Sequence, residues 1–301
     1  MSNISVFANF YINDQERFLR LQDSFLSFFK SNIDRWYINI RGNKKKLVIN
    51  FLKKYLPSKK LYLSSIETKN GWMKDSYTIA KNIESEYVFF WVEDHICKSG
   101  PRYLNNIFNS IYKNKIDYLP YSWFFFGNNI KSLEFTKLNQ DKNIYYAHYD
   151  IHLHKKRIKF VKENKIISDI YIVSCCSILK KNIFLSVLSS RDFFFRKWDK
   201  FLPFNFEKTQ FDLHWLPYKI GIPKKEVFVS IDDDLRYNNY SLISRKLYPL
   251  RESVVKNKIT DVKSINFKNN YWINFKIKIK YICNFFSILL FLITKKWKHL
   301  F

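Results

Sequence analysis

Glycine is scarce in this chain, with 5 among 301 residues. Gly-rich phosphate loops need several glycines at fixed spacing, and neither common type is present. That argues against both a dinucleotide-binding dehydrogenase and a P-loop nucleotidase. Cysteine is sparse too: Cys97, Cys175, Cys176 and Cys283 match neither a zinc-ligand spacing nor a disulfide framework. The adjacent pair reads as reduced residues in or beside a strand. There is no internal repeat and no linker rich in Gly or Ser, so one domain with an elaborated second half is expected. The chain starts directly on strand-like sequence without a secretory signal, so a cytoplasmic location is expected. Acidic residues are half as numerous as basic ones, 26 against 52, which leaves a formal charge of +26. Lysine is spread over the whole chain and no nucleic-acid motif accompanies it, so no specific nucleic-acid partner is expected. The Lys-, Asn- and Ile-rich profile also matches AT-rich coding. A general attraction to anionic lipid is the better physical reading of the charge.

Apolar residues make up 47% of the chain, which excludes wholesale disorder and allows a large core. Residues 5–11 read as a first strand. Asn13 to Glu16 resembles a capping box, and Phe18, Leu21, Phe25 and Phe28 then form one helical stripe. Residues 36–40 are a second strand, 47–56 a helix stopped by Pro57, and 61–63 a short third strand. A helix opened by Gly71 runs to about residue 83, and another follows Gly100-Pro101 to residue 112. Strands alternating with helices imply a parallel sheet. In the second half, 170–174 and 227–231 read as strands, and 183–188 and 206–216 as helices.

The most informative stretch is 86–95. An apolar, aromatic run, Tyr87-Val88-Phe89-Phe90-Trp91-Val92, ends at Glu93-Asp94-His95. Such a run reads as a buried parallel strand. Ligands of open α/β sheets collect beyond the carboxyl ends of their strands, so these three metal-competent groups face a crevice. Oxygen ligands of this kind suit Mg²⁺ or Mn²⁺, which often bridge protein carboxylates to substrate phosphates. If the strand continued through them, successive side chains would alternate, so Glu93 and His95 would not both share a face with Asp94.

Residues 71–95 resemble the central signature of GT-A glycosyltransferases, nearest to the family 2-like group of bacterial surface-polysaccharide enzymes. The likeness rests on the Gly71-led helix, the Ser85-Glu86-Tyr87 lead-in, and the hydrophobic strand ending in acids. It covers roughly residues 1–120, and 200–235 weakly. The chain departs from the family pattern at two positions. Val92 stands where the first Asp of an Asp-x-Asp motif falls, and Arg41 ends the second strand where many relatives carry an acid facing the nucleotide. The resemblance implies a Rossmann-type mixed α/β sheet flanked by helices. It also implies a nucleotide-sugar donor whose diphosphate carries a divalent ion, and a lipid-linked or polysaccharide acceptor of lipopolysaccharide or capsule type. On this reading Asp94 is the leading metal ligand, with His95 or Glu93 assisting, and Asn9, Tyr11, Arg41 and Glu93 lie where the nucleotide sits. Glu207 resembles in position the base of inverting relatives, and Asp212 is second choice.

Structural alternatives stand beside each of these. Asp94 could be a helix N-cap. Glu207 in a first turn could serve the helix dipole alone, and Asp212 lies about 140° round a helix from it. Asp232-Asp233-Asp234 repel one another unless a cation or Arg236, Arg245 or Arg251 relieves them. His148, His152 and His154 form a further cluster. Residues 281–293 are nearly uncharged but too short to span a bilayer, with lysines and Trp272 and Trp297 on either side. This points to attachment at an anionic membrane surface. The expected organisation is a catalytic domain over 1–265, divided at 120 into donor and acceptor halves, and a membrane-associating helical segment over 266–301. The competing classes are a retaining transferase or nucleotidyltransferase on the same sheet plan, and a non-catalytic basic membrane-associated binding protein.

Overall fold

A computed structural model of the chain describes residues 4–120, 139–150, 152, 175–189, 218–232 and 241–248. All of them belong to one of the chain's two compact units, formed by Met1–Arg191 and Trp198–Tyr248. The expected segment 266–301 lies outside the described residues. Among the described residues, no helix is long and apolar enough to cross a membrane.

The first half alternates as its apolar periodicity predicts. Strand β1 (Ile4–Tyr11) leads to helix α1 (Gln15–Phe28), β2 (Trp36–Arg41) to α2 (Lys45–Tyr55), and β3 (Leu61–Ser64) to α3 (Trp72–Ala80). Strand β4 (Tyr87–Phe90) follows, then β5 (His95–Cys97), α4 (Gly100–Asn114) and β6 (Tyr118–Pro120). The later elements are β7 (Asn139–Gln140), β8 (Ile144–Tyr149), β9 (Ser177–Lys180), α5 (Lys181–Ser189), β10 (Tyr218–Pro223) and β11 (Phe228–Ser230). The expected strand at 170–174 and helix at 206–216 fall outside the described residues.

Among the described residues, nine strands form one mixed sheet in the order β3-β2-β1-β4-β9-β6-β10-β8-β7. The first four are parallel. Beyond β4, β9 runs antiparallel to both of its neighbours, β4 and β6. Successive β1 side chains alternate between faces, so Val6, Ala8 and Phe10 enter one core while Phe7 enters the other. The first core also takes the apolar stripes of α1, α2 and α4. The second takes Trp72, Ile79 and Ala80 of α3 with Ile183, Phe184 and Val187 of α5.

Two local details differ from expectation. At the start of α1, the Asp14 carboxylate accepts from the Arg17 amide at 2.7 Å. The cap is thus Asp14 and the third helical residue is Arg17, one place on from the expected Asn13–Glu16 pair; Asn13 Oδ1 accepts from the Asn43 amide, and Glu16 binds Arg20 at 3.1 Å. The fourth strand stops at Phe90, two residues before the expected end at Val92. The chain turns at Glu93-Asp94, and β5 then pairs antiparallel with β11 in a separate small sheet. Glu93 and Asp94 therefore lie on a turn and His95 opens a new strand, so strand alternation does not set their directions.

Candidate functional site

Strand order reverses between β1 and β4: from β1 the chain proceeds to β2 and β3 on one side and returns to β4 on the other. In an open parallel sheet that reversal leaves a crevice at the carboxyl ends. Tyr11 closes β1, Arg41 closes β2, and the Glu93-Asp94 turn follows β4. Asn9 lies two residues before the end of β1. Five of the residues singled out from sequence are thus gathered at one sheet edge. Of the other sequence candidates, Glu207, Asp212 and His154 fall outside the described residues, while His148 and His152 are exposed.

The acidic turn is held from three sides. Trp91 donates through Nε1 to Ser24 Oγ at 2.8 Å, and Ser24 Oγ donates in turn to the His95 carbonyl at 2.5 Å. The Ile231 amide, just past β11, donates to the Asp94 carbonyl at 2.8 Å. Helix α1 supplies cations: Arg17 Nη1 stands 3.3 Å from Glu93 Oε1, and Arg20 Nη1 stands 2.8 Å from Asp232 Oδ2. His95 Nδ1 lies 2.6 Å from Asp94 Oδ1. An ionised carboxylate can only accept, so Nδ1 carries the proton of that bond. His95 Nε2 is buried and has no partner.

The two carboxyl groups are pushed in opposite directions. Burial and the adjacent Asp94 charge raise the Glu93 pKa to about 7, against the opposing pull of Arg17 and His95. Burial also works against ionising Asp94, but the charge and hydrogen bond of His95, with Arg20 and Arg17 nearby, bring it below the usual carboxylate range. The sign for stability follows. Between about 4.5 and about 7, folded Glu93 holds a proton that the unfolded chain has released, so its contribution is present below that window and is lost as pH rises through it. In the presence of EDTA, the wild type should lose up to about 3 kcal/mol relative to Glu93→Gln between pH 4.5 and pH 8. Urea midpoints at both pH values measure this. Parallel curves for the two proteins would contradict the assignment.

Beside the acids sits a buried polar network that the sequence did not disclose. Asn9 Oδ1 accepts from Asn39 Nδ2 at 2.9 Å and from Arg41 Nε at 3.0 Å, while Asn9 Nδ2 donates to Ser76 Oγ at 2.8 Å. Trp72 Nε1 donates to the Asn9 carbonyl at 3.1 Å. Asn39 in turn fastens the chain after β3, accepting from the Ile66 amide at 2.8 Å and donating to the Ile66 carbonyl at 2.8 Å. Arg41 is 3% exposed, and its Nη1 has no partner. Burial lowers its pKa, resisted by Glu67, Asp75, Tyr11 and Glu93. Its guanidinium lies 5.4 Å from the centre of the Tyr11 ring, which is itself 36% exposed. Asn39, an amide between Ile38 and Ile40 in a strand, was the member that sequence reasoning passed over, although strands are poor in Asn. Arg17 and Arg20 were missed as well. Their signal was an i, i+3 pair in the helix that follows β1, hence close to the carboxyl edge.

Gly42 lets the chain leave this edge. Its φ is +90°, and a Cβ there would meet both Asn13 Oδ1 and the Ile12 carbonyl oxygen at 2.6 Å. Gly42→Ala is expected to cost on the order of 1–3 kcal/mol, read as a lower denaturant midpoint. A change below about 0.5 kcal/mol, the range of neutral surface substitutions, would show that the turn relaxes freely.

Asp232, expected at a sheet edge beside arginines, is there, but its partner comes from α1. Arg245 instead pairs with Glu226, at 2.8 Å. Among the described residues no group of three or more His, Cys, Asp or Glu is arranged to hold a metal ion. Glu93 and Asp94 supply two hard oxygen donors, and the strain of their adjacent charges is what a divalent cation relieves. This donor set fits Mg²⁺ or Mn²⁺ of the kind that takes one or two protein carboxylates and fills its remaining positions with water and phosphate.

No protein-family model matches the chain, and the comparison with curated proteins found no match. Among solved structures, it is similar to residues 1–349 of Staphylococcus aureus TarS, at 15% identity and a TM-score of 0.45, over 75% of this chain and 60% of that one. The TarS 1–349 complex with UDP-GlcNAc gives 13% identity and a TM-score of 0.44, over 84% of this chain and 63% of that one.

Proposed function

We propose that this chain is a GT-A-type glycosyltransferase that moves a sugar from a nucleotide-sugar donor to a lipid-linked or surface-polysaccharide acceptor. The observation that carries this reading is the Glu93-Asp94 turn at the strand-order reversal, beside Asn9, Tyr11 and Arg41. Two carboxylates at a crevice, with an exposed aromatic ring and a buried guanidinium next to them, suit a ligand with a flat ring at one end and a diphosphate at the other.

Asp94 is the main ligand for the ion, with Glu93 assisting. His95, through Nδ1, keeps Asp94 ionised and oriented, as hydrogen-bonded partners of metal ligands do. When bound, the ion supplies positive charge against the leaving nucleoside diphosphate. Tyr11 offers a ring face to the base, and Arg17 offers a second cation beside the acids. Glu207 takes the proton of the attacking acceptor hydroxyl, with Asp212 as the alternative, in a displacement with inversion. The protein works at the inner face of the cell membrane, held there by its basic surface and by residues 266–301.

The test is turnover. Purified protein is incubated with a panel of nucleotide sugars and Mn²⁺, with and without EDTA, and released nucleotide is measured. One donor should be consumed, and EDTA should stop its consumption. Turnover that survives EDTA would remove the ion from this reading. Neither turnover nor binding of any donor would favour a non-catalytic membrane-associated protein.

A further inference from the structure

We propose that the outer face of α2 is a docking surface for an anionic lipid bilayer. This deepens the membrane placement proposed above and rests on that placement, but it does not depend on the sugar chemistry. From Arg35 to Ile66 the chain contains no Asp or Glu, yet it carries Lys44, Lys45, Lys46, Lys53, Lys54, Lys59 and Lys60. The structure sorts these residues. Val48 and Leu52 are fully buried against the sheet, while Lys46, Leu47, Asn50, Lys53 and Lys54 are exposed. At 100° per residue, those five fall within an arc of roughly 120°, along a helix roughly 16 Å long. None of the exposed lysines forms an ion pair with a described residue.

Helix stability does not explain the pattern. Lys44, Lys45 and Lys46 stand at the N-terminus, the positive end of the helix dipole, where cations are unfavourable. That end has no acid in its first turn and no side-chain cap. Leu47 is 44% exposed among these lysines. An apolar side chain ringed by lysines matches a bilayer, whose headgroups attract the ammonium groups and whose acyl boundary takes the leucine. The face carries no aromatic ring of the kind that stacks on bases. The lysine-flanked apolar run at 281–293 is a second segment of the same chemistry in this chain.

The full chain is to be tested for co-sedimentation with phosphatidylcholine vesicles with and without phosphatidylglycerol. The variants are Lys46→Glu/Lys53→Glu on α2 and, as a control, Lys74→Glu/Lys81→Glu. The control lysines are also exposed, but α3 covers the opposite sheet face. Glu at position 46 suits the helix start, so the α2 variant should fold, which circular dichroism checks. Wild type should bind only the anionic vesicles and release them at 1 M salt, where screening reaches about 3 Å. The α2 variant should bind roughly tenfold or more weakly, since each lysine near such a surface contributes a several-fold factor, and the control should change far less. Equal losses in the two variants would overturn the proposal, as would unchanged binding of the α2 variant. So would α2-dependent binding of a soluble acidic polysaccharide without vesicle binding. Donor turnover without vesicles, measured on the same variants, reports separately on the glycosyl-transfer reading.

Discussion

Asp94→Ala should reduce metal-dependent donor turnover by roughly 100-fold or more while leaving the protein folded. The floor comes from simpler cases: losing even an outer partner of a metal ligand commonly costs 10- to 100-fold in affinity or activity, and Asp94 is assigned as the ligand itself. The fold should survive because Asp94 stabilises no core. Its side chain is 38% exposed, and its structural hydrogen bond to Ile231, just past β11, is made by the backbone carbonyl, which alanine keeps. The variant also leaves His95, only 7% exposed, without its carboxylate partner. Asp94→Asn separates these effects, since it keeps an acceptor for His95 and removes the charge. If turnover depends on the charge, Asn should behave like Ala. Full activity in Asp94→Ala would show that the ion, or the chemistry, lies elsewhere.

The largest expected loss of stability is at Trp91. This residue is 1% exposed and sits among Phe10, Phe28, Trp36 and Phe25, with ring centroids 4.8, 5.3, 5.9 and 6.0 Å away. Trp91→Ala should cost about 3–5 kcal/mol through lost burial and the cavity left behind. That is a large share of the roughly 5–15 kcal/mol that holds a typical domain together. Its consequence also reaches the site. The indole donates to Ser24, which donates to the His95 carbonyl, so the same ring that fills the core steadies the acidic turn. Trp91→Phe keeps most of the ring and loses that donor. It should cost less than Ala, while still weakening donor binding if the Ser24 link matters. Denaturant midpoints measure the first effect and nucleotide titrations the second. A cost below about 1 kcal/mol for Trp91→Ala would mean that the aromatic cluster repacks.

Much of the first half was legible because its elements follow simple periods. Phe18, Leu21, Phe25 and Phe28 mark α1 at spacings of three and four, and the uninterrupted apolar run after Glu86 marks β4. Both depend only on residues close together in sequence. The second half was harder because its strands are short and owe their places to distant partners. Ser177–Lys180 and Tyr118–Pro120 become central strands by pairing with each other, the first with β4 as well and the second with β10. Nothing in either tripeptide or tetrapeptide states that.

The site divides in the same way. Glu93, Asp94 and His95 were readable as an acidic strand end, but not as a turn, because β11 draws β5 away from the main sheet. Asn9 and Arg41 were named from the sequence, but the bonds that join them through Asn9 Oδ1 with Asn39 were not legible, because they link two strands that meet only after folding. Arg17 and Arg20 stand outside the apolar stripe of α1 and drew no reading from the sequence. Only the topology turns them towards the acids.

The most direct test is a crystal grown with Mn²⁺ and the nucleoside diphosphate of the donor found in the panel. Anomalous density for manganese should lie against the Asp94 carboxylate, with the diphosphate on it and the base near Tyr11. Manganese and nucleotide bound together at any other edge of the sheet would contradict the assignment.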